Sequence, residues 1–323
     1  MEVKTLFPLV IDSTFLMKFD SCMMAGFRAH IQHLSKGNTS TDLVAGKAFA
    51  RGLEVTRKAF YNDGVKQSPA IDLGIEALYE DYGDHDPWSS VKTAEKMASA
   101  LELYFMEYPM ATDHLQPARL ADGTYAIEYS FCHELPFKHP DLDCNLLITG
   151  RADMVATYGG KLWVSDEKTT KAFSGDWAQS WDTRGQFTTY AWGLAKDGID
   201  VSGAFIRGVA LQKTNTKFAE CMTSRSKFEV ETWEFQMLAK VKRILDAYNA
   251  FKTSGEHPSR HFFGAWNEAC MAYFRPCSFM ELCRSKSSEN FIEGEWGQEI
   301  WLPHEQRREN LDIFLESVGY GKE

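Results

Sequence analysis

No apolar run in these 323 residues reaches the length of a membrane span, so no crossing segment is expected. The opening MEVKTLFPLVIDSTF lacks the unbroken apolar region and small-residue cleavage site of a signal peptide, and a cytoplasmic location follows as the expectation. Internal repeats and low-complexity linkers are absent, as is a P-loop for ATP. Positive charge is also short. With 35 basic against 45 acidic residues the net charge is −10, which argues against blanket electrostatic adhesion to nucleic acid. Any such contact must be focused; Arg151, Arg184, Arg207 and Lys213 are the candidates for it, with ordinary surface solvation as their alternative. Hydrophobic residues make up 44% of the chain, which is enough for a sizeable core and excludes global disorder. The seven cysteines are expected to be thiols or ligands, because a reducing compartment disfavours disulfides.

The apolar spacing predicts a helix from Ser13, as N-cap, to about Leu34, with Phe15, Phe19, Met23, Phe27 and His30 on one stripe and Cys22 off it. Lys36 to Ser40 reads as a loop, Asp42 to about Asn62 as a second helix, and Pro87 to about Tyr108 as a third. Strands are expected at Thr124 to Cys132, Asn145 to Ile148 and Val201 to Val209. Ala172 to about Lys196 reads as a helix packed on the sheet, and Phe228 to about Lys252 as a long amphipathic helix. The sum is an α/β fold, a central sheet wrapped by helices. Its expected parts are a helical N-terminal region (1–110), a core (111–255) and a C-terminal cysteine-containing segment (256–323).

The most informative stretch is Ile148 to Thr170, ITGRADMVATYGGKLWVSDEKTT. Gly159-Gly160 between two β-branched runs is a hairpin signal, because both turn positions can take positive φ at little cost. That turn puts Asp153 directly opposite Asp166, with Cβ atoms about 4.5–5.5 Å apart on one face. Lys168, two residues on, shares the face, whereas Glu167 points to the other. Two carboxylates this close repel, so one keeps its proton unless a cation sits between them. Oxygen ligands at this spacing suit Mg²⁺ or Mn²⁺, and a metal-held water beside a lysine is equipment for phosphodiester hydrolysis. A surface hairpin with a cross-strand salt bridge is the plainer alternative.

GRADMV, then SDEKTT, then QFTTYAW resembles the PD-(D/E)XK nuclease superfamily, in particular its RecB-like branch. The resemblance implies a restriction-endonuclease-like central mixed sheet flanked by helices. It also implies that Asp153 and Asp166 hold the metal, with the carbonyl of Glu167 as a further ligand. Lys168 would orient or deprotonate the attacking water and steady developing charge. Gln186 and Tyr190, four apart and so on one helix face, would support the site or touch the nucleic-acid backbone; an ordinary helix surface is their alternative. GKAFARGLE, Gly46 to Glu54, looks like the helix in which that branch usually carries a histidine, here replaced by Ala50. Glu54 would contribute to the metal site through a water, or be a solvated acid.

Cys270, Cys277 and Cys283 follow at separations of 7 and 6, with Cys22 far upstream. One cysteine before the core and three after resembles the iron–sulfur staple of AddB-type and CRISPR-adaptation nucleases. The resemblance implies a [4Fe–4S] cluster on these four thiolates; structural Zn²⁺ and buried free thiols are the alternatives. Cys132, Cys144 and Cys221 read as small core residues. The expected activity is therefore a metal-dependent deoxyribonuclease, an exonuclease on DNA ends or single strands. Lacking its own ATP motor, it would work on open ends or beside a helicase or recombination partner. The alternative is a non-catalytic DNA-binding or recombination accessory protein that keeps the fold.

Overall fold

The computed structural model describes residues 4–37, 40–88, 90–266, 268–274, 276–285, 296–300 and 308–317; Asn38 and Thr39 of the expected loop, and Arg275 of the cysteine segment, lie outside them. The chain divides into two compact units. One consists of Met1–Asn38, Phe131–Gly150 and Glu231–Glu323, the other of Thr39–Ser130 and Arg151–Val230.

The hairpin expected from Gly159-Gly160 is present. The two glycines sit at φ +57° and +74°, and they join strand β5 (Asn145–Tyr158) to strand β6 (Lys161–Thr170). The register pairs Tyr158 with Lys161 and Met154 with Ser165, as the two-residue turn requires. Strand β7 (Val201–Leu211) runs parallel to β6, and β8 (Thr216–Ser224) runs antiparallel to β7, so the sheet is mixed. The crossover between β6 and β7 is made by α6 (Gly185–Lys196), as a parallel pair demands. Strands β1 (Val10–Ile11), β3 (Gln116–Pro117) and β4 (Ile127–Lys138) also pair with β5, and β2 (Leu34–Ser35) pairs with a short strand at Gly297–Gln298.

In the second unit three helices precede the sheet: α3 (Thr41–Tyr61), α4 (Gln67–Tyr82) and α5 (Ala94–Glu107). Ser40 caps α3 and Thr93 caps α5, each accepting a backbone N–H. Phe49 and Leu53 of α3, Leu101 and Phe105 of α5, and Val209 and Leu211 of β7 form one buried cluster. Sequence periodicity leaves α4 undetected and starts α5 too early, at Pro87. The helix α4 is rich in acids and carries Gly74 at its middle, which blurs the helical pattern. Gly74 serves packing: a Cβ there would lie 2.6 Å from the carbonyl of Gly52, so α3 and α4 meet backbone to backbone. Strand β8 is also undetected by the sequence pattern, because its residues, of which Thr223 alone is buried, show no apolar alternation.

In the first unit the expected long helix is broken into pieces. Helix α1 (Ser13–Ser21) is capped by Asp12, whose carboxylate accepts from Phe15 N–H at 2.9 Å; Ser13 is its first residue. Cys22 is extended, with φ −170° and ψ 123°, and α2 (Met23–Gly26) and a π-turn (Phe27–Ile31) follow it. Helix α7 (Lys227–Ser254) buries Met237, Val241, Leu245 and Tyr248 of the face that the spacing predicts, and Ile244 beside them, whereas Trp233 of that face is half-buried. Phe27 stacks on Phe262 at 4.4 Å and meets Phe251 at 5.2 Å. No helix among the described residues is long and apolar enough to cross a membrane.

His30 lies against the Phe15 ring at 5.4 Å, and burial lowers its pKa to about 4, with Lys18 and His33 adding to the fall and Asp12 opposing it. The unfolded ring takes its proton near pH 6.5 and the folded ring only near pH 4, so protonation favours the unfolded chain. Stability should therefore fall by about 3 kcal/mol from this residue as pH drops from 7 towards 4. Thermal melts of the protein and of His30→Gln across that range would check it: the variant should show a shallower acid-side decline.

Candidate active site

Strand alternation on β6 decides the site. Asp166 and Lys168 point to one face and Glu167 to the other, as period 2 requires. Lys168 Nζ lies 2.6 Å from Asp166 Oδ1. Asp153, on β5, adjoins the last register pair, Met154 with Ser165, and its Oδ2 accepts from Glu167 N–H at 3.4 Å. On α6, Gln186 Nε2 donates to Tyr190 Oη at 2.8 Å and stands 3.5 Å from Asp166 Oδ2. Asp153, Asp166, Lys168, Gln186 and Tyr190 are thus brought together on one side of the sheet.

The electrostatics follow from burial. Asp166 is 0% exposed, and desolvation, with Asp153 beside it, lifts its carboxyl to about 7 despite the pull of Lys168. Asp153 is likewise raised by desolvation and by Glu167, against Lys168 and Arg151. Burial works against the Lys168 ammonium, but Asp166 and Asp153 outweigh it and hold the lysine protonated beyond its usual range. Burial and the two aspartates also keep the Tyr190 phenol protonated. Two acids that resist ionisation beside a firmly protonated lysine form a site deficient in positive charge. A cation placed between the carboxylates would relieve that deficiency.

The opposite face of β6 is closed by a buried ionic network. Arg57 of α3 grips Glu167 with two bonds, at 2.5 and 3.1 Å, and Tyr104 of α5 donates to the same carboxylate at 2.7 Å. Burial pushes the Glu167 carboxyl up, but the Arg57 guanidinium prevails and holds it below its ordinary range. Arg207 of β7, 0% exposed, adds bonds to Tyr104 at 3.2 Å, to both oxygens of Asp113 at 2.6 Å and to Glu220 at 2.8 Å. Arg207 is therefore an interior residue and not part of a DNA-facing groove. Arg151 is similarly engaged, 2.7 Å from Glu128. Arg184 and Lys213 remain exposed.

Glu54 is only 5% exposed, paired with Arg51 at 2.8 Å and Lys58 at 3.2 Å, which is not the solvated acid of the alternative reading. Burial raises its carboxyl, and the two cations more than reverse that. Glu128 feels both Glu54 and Asp153 and so stands between them electrostatically. Ala50, at the position where a histidine was expected, is half-buried on the same helix. Glu128 is the acid that the sequence reading missed. It is 8% exposed, and burial together with Asp153 raises its carboxyl well above the usual value. Its φ of +57° is strained for a residue with a side chain. Nothing in the surrounding sequence sets it apart from an ordinary strand residue.

In the first unit Cys22, Cys270, Cys277 and Cys283 all line one cavity of about 610 Å³. Burial raises the Cys283 thiol, Arg28 opposes this, and the other three cysteines add to the rise, so the four are electrostatic neighbours. Ala265 N–H donates to Cys22 Sγ at 3.3 Å, which points that sulfur at the C-terminal segment. Among the described residues no three His, Cys, Asp or Glu side chains close to a metal-holding cage, either here or at the aspartates.

Residues 16–284 match the family model of the PD-(D/E)XK nuclease superfamily. Among solved structures, a candidate exonuclease from Eubacterium rectale is similar at 12% identity and a TM-score of 0.45, covering 85% of this chain and 93% of its own. The protein SSO0001 is similar at 12% identity and a TM-score of 0.26, covering 70% and 84% respectively. No curated protein matches the chain.

The Arg57–Glu167 pair sets a stability expectation. Arg57→Met should strand a buried carboxylate and cost about 3–5 kcal/mol, read as a shift of the urea midpoint. The double variant Arg57→Met/Glu167→Leu should recover most of that loss, since the uncompensated charge goes with it.

Proposed function

The chain belongs to the PD-(D/E)XK nuclease superfamily, and from that premise we propose that it is a metal-dependent deoxyribonuclease of RecB-like type, acting on DNA ends or single strands. The observation that carries the proposal is the convergence of Asp153, Asp166 and Lys168 on one sheet face, with Gln186 and Tyr190 supplied by the following helix.

Asp153, Asp166 and the Glu167 carbonyl would hold Mg²⁺ or Mn²⁺, with Glu54 contributing through a water, and the bound ion would supply Lewis-acid stabilisation at the scissile phosphate. The donor set fits, being hard oxygen atoms on two buried carboxyls that share too little positive charge. The chain's own groups do the rest. The Lys168 ammonium, held protonated, is placed to bind a phosphate oxygen as negative charge builds on it. Gln186, braced by Tyr190, orients the Asp166 carboxylate. Arg57 and Tyr104 lock Glu167 behind the strand, so the Glu167 carbonyl and the Asp166 side chain keep their aim. A partner that opens duplex ends is expected, because the chain has no ATP-binding loop of its own.

Cys22, Cys270, Cys277 and Cys283 would hold the structural centre, a [4Fe–4S] cluster or, in its place, Zn²⁺. Support comes from four thiols on a single cavity wall and from their mutual electrostatic influence. Such a centre would tie α1 and α2 to the C-terminal segment and add to folding stability.

Incubating anaerobically purified protein with end-labelled DNA and Mg²⁺, Mn²⁺ or EDTA tests the reading. Cleavage should need the metal, and Asp153→Ala or Lys168→Ala should lower kcat by 100-fold or more, on the order of one strong electrostatic contact. Metal-independent or undiminished cleavage would refute it. A folded protein that binds DNA but never cuts would favour the accessory reading, which Ala50 in the histidine position motivates. Metal analysis and visible absorption of the same preparation should show iron with sulfide, or zinc, and Cys277→Ser should lose the metal and lower the melting temperature.

A further inference from the structure

Residues 171–184 leave the sheet immediately after Lys168-Thr169-Thr170 and return to it as α6. The segment does not continue the helix expected from Ala172; apart from one turn, Gln179–Trp181, it is irregular. It carries three large rings, each half-buried: Phe173, Trp177 and Trp181. Phe173 and Trp177 meet edge to face at 4.9 Å, and Trp177 and Trp181 at 5.9 Å. The series continues through Phe187 at 6.2 Å to Tyr190 at 6.5 Å. An unbroken line of aromatic contacts thus starts at the proposed catalytic helix and runs out along the loop.

The far end of that line returns to the active strand. Gly208 of β7 is the register partner of Lys168, and partners on adjacent strands face the same side about 4.8 Å apart. A Cβ at position 208 would lie 2.4 Å from the Phe173 ring and 2.5 Å from the Trp177 ring, so both rings rest on bare backbone beside the lysine. The missing side chain lets the rings come down to the catalytic face. At the other end the Arg184 guanidinium lies 5.4 Å over Trp181.

We propose that Phe173, Trp177 and Trp181 form a stacking wall for unpaired nucleobases flanking the phosphate held at Asp153, Asp166 and Lys168. This rests on the nuclease reading and adds to it a subsite that holds the unpaired bases beside the cut. The wall is continuous with the catalytic face, so a strand threaded over the two aspartates brings its neighbouring bases against these rings. Every base presents a π-face, and stacking is accordingly tolerant of sequence; in an intact duplex those faces are already covered by the neighbouring pairs. Lys171 and Arg184 are balanced by Asp176 and Asp182, so the segment has no net charge. Affinity here comes from ring contact more than from charge, which suits a chain of net charge −10.

The test compares wild type, Trp177→Ala and Trp177→Phe on three labelled probes: a single strand, the same strand with abasic sites flanking the cut, and a blunt duplex. Cleavage is followed with Mg²⁺ or Mn²⁺, and binding by fluorescence anisotropy in EDTA. Wild type should bind and cut the intact strand with a Kd and KM at least fivefold below those for the abasic strand. Trp177→Ala should lose that preference by raising KM on the intact strand alone, with kcat little changed, and Trp177→Phe should restore it. A variant that merely unfolds the loop would lose both strands equally and would overturn the wall, as would a wild type indifferent to the missing bases. Binding without any cleavage, but with the base preference intact, would refute the nuclease reading and leave the wall standing. Cleavage without the preference would do the reverse.

Discussion

Strand β6 carries ionic groups on both faces, and neither face can be buried until its charge is answered. A carboxylate removed from water without a partner is among the costliest features a fold can contain. Behind the strand the answer comes from the protein itself: Arg57 and Tyr104 satisfy Glu167, and Arg207 extends the network to Asp113 and Glu220. In front, Asp153 and Asp166 share one lysine between them, and their carboxyls stay raised. The imbalance between the two faces sets the ion network behind the strand apart from the proposed cation site in front. Burial of the same strand produces both.

The hairpin and its consequences were legible from sequence because they rest on local rules. A glycine pair fixed the turn, the turn fixed the register, and the period of two sorted Asp166 and Lys168 from Glu167. Gln186 and Tyr190 were legible for a similar reason, sharing one face of a short helix. What escaped depends on contacts distant in sequence. Arg57, Tyr104, Asp113 and Arg207 lie on separate elements and look like surface residues until the fold assembles them, which is why Arg207 resembles a groove contact in the sequence. Glu128 was hidden because its left-handed backbone and its closeness to Asp153 are tertiary facts. Helix α4 was hidden because Gly74, poor for a helix in isolation, is what lets two helices touch.

The interruption at Cys22 has a comparable logic. Cys22 keeps its backbone bonds, donating its N–H to Lys18 O and accepting from Gly26 N–H, yet its extended φ and ψ break the helical run at this residue. There its sulfur meets the Phe263–Ala265 segment, accepting from the Ala265 N–H. Three cysteines from a segment more than two hundred positions away then share its cavity. The amphipathic spacing of this region is real, as the buried Phe15, Phe19 and Phe27 show. Periodicity reports which face is buried and is blind to a break that preserves the face.

At the tip of the β5–β6 hairpin, no atom of the described residues stands within 4 Å of where a side chain at Gly159 or Gly160 would project. Strand β6 is meanwhile secured from its other side by the β7 ladder and from behind by Arg57. The turn therefore sets the pairing without being loaded by it. Extra residues gained there in a lineage would loop outward into solvent, leaving the carboxylates where they are. This makes the tip a place where the chain can grow, acquire a fused module or diverge in length while the chemistry beneath it is inherited unaltered.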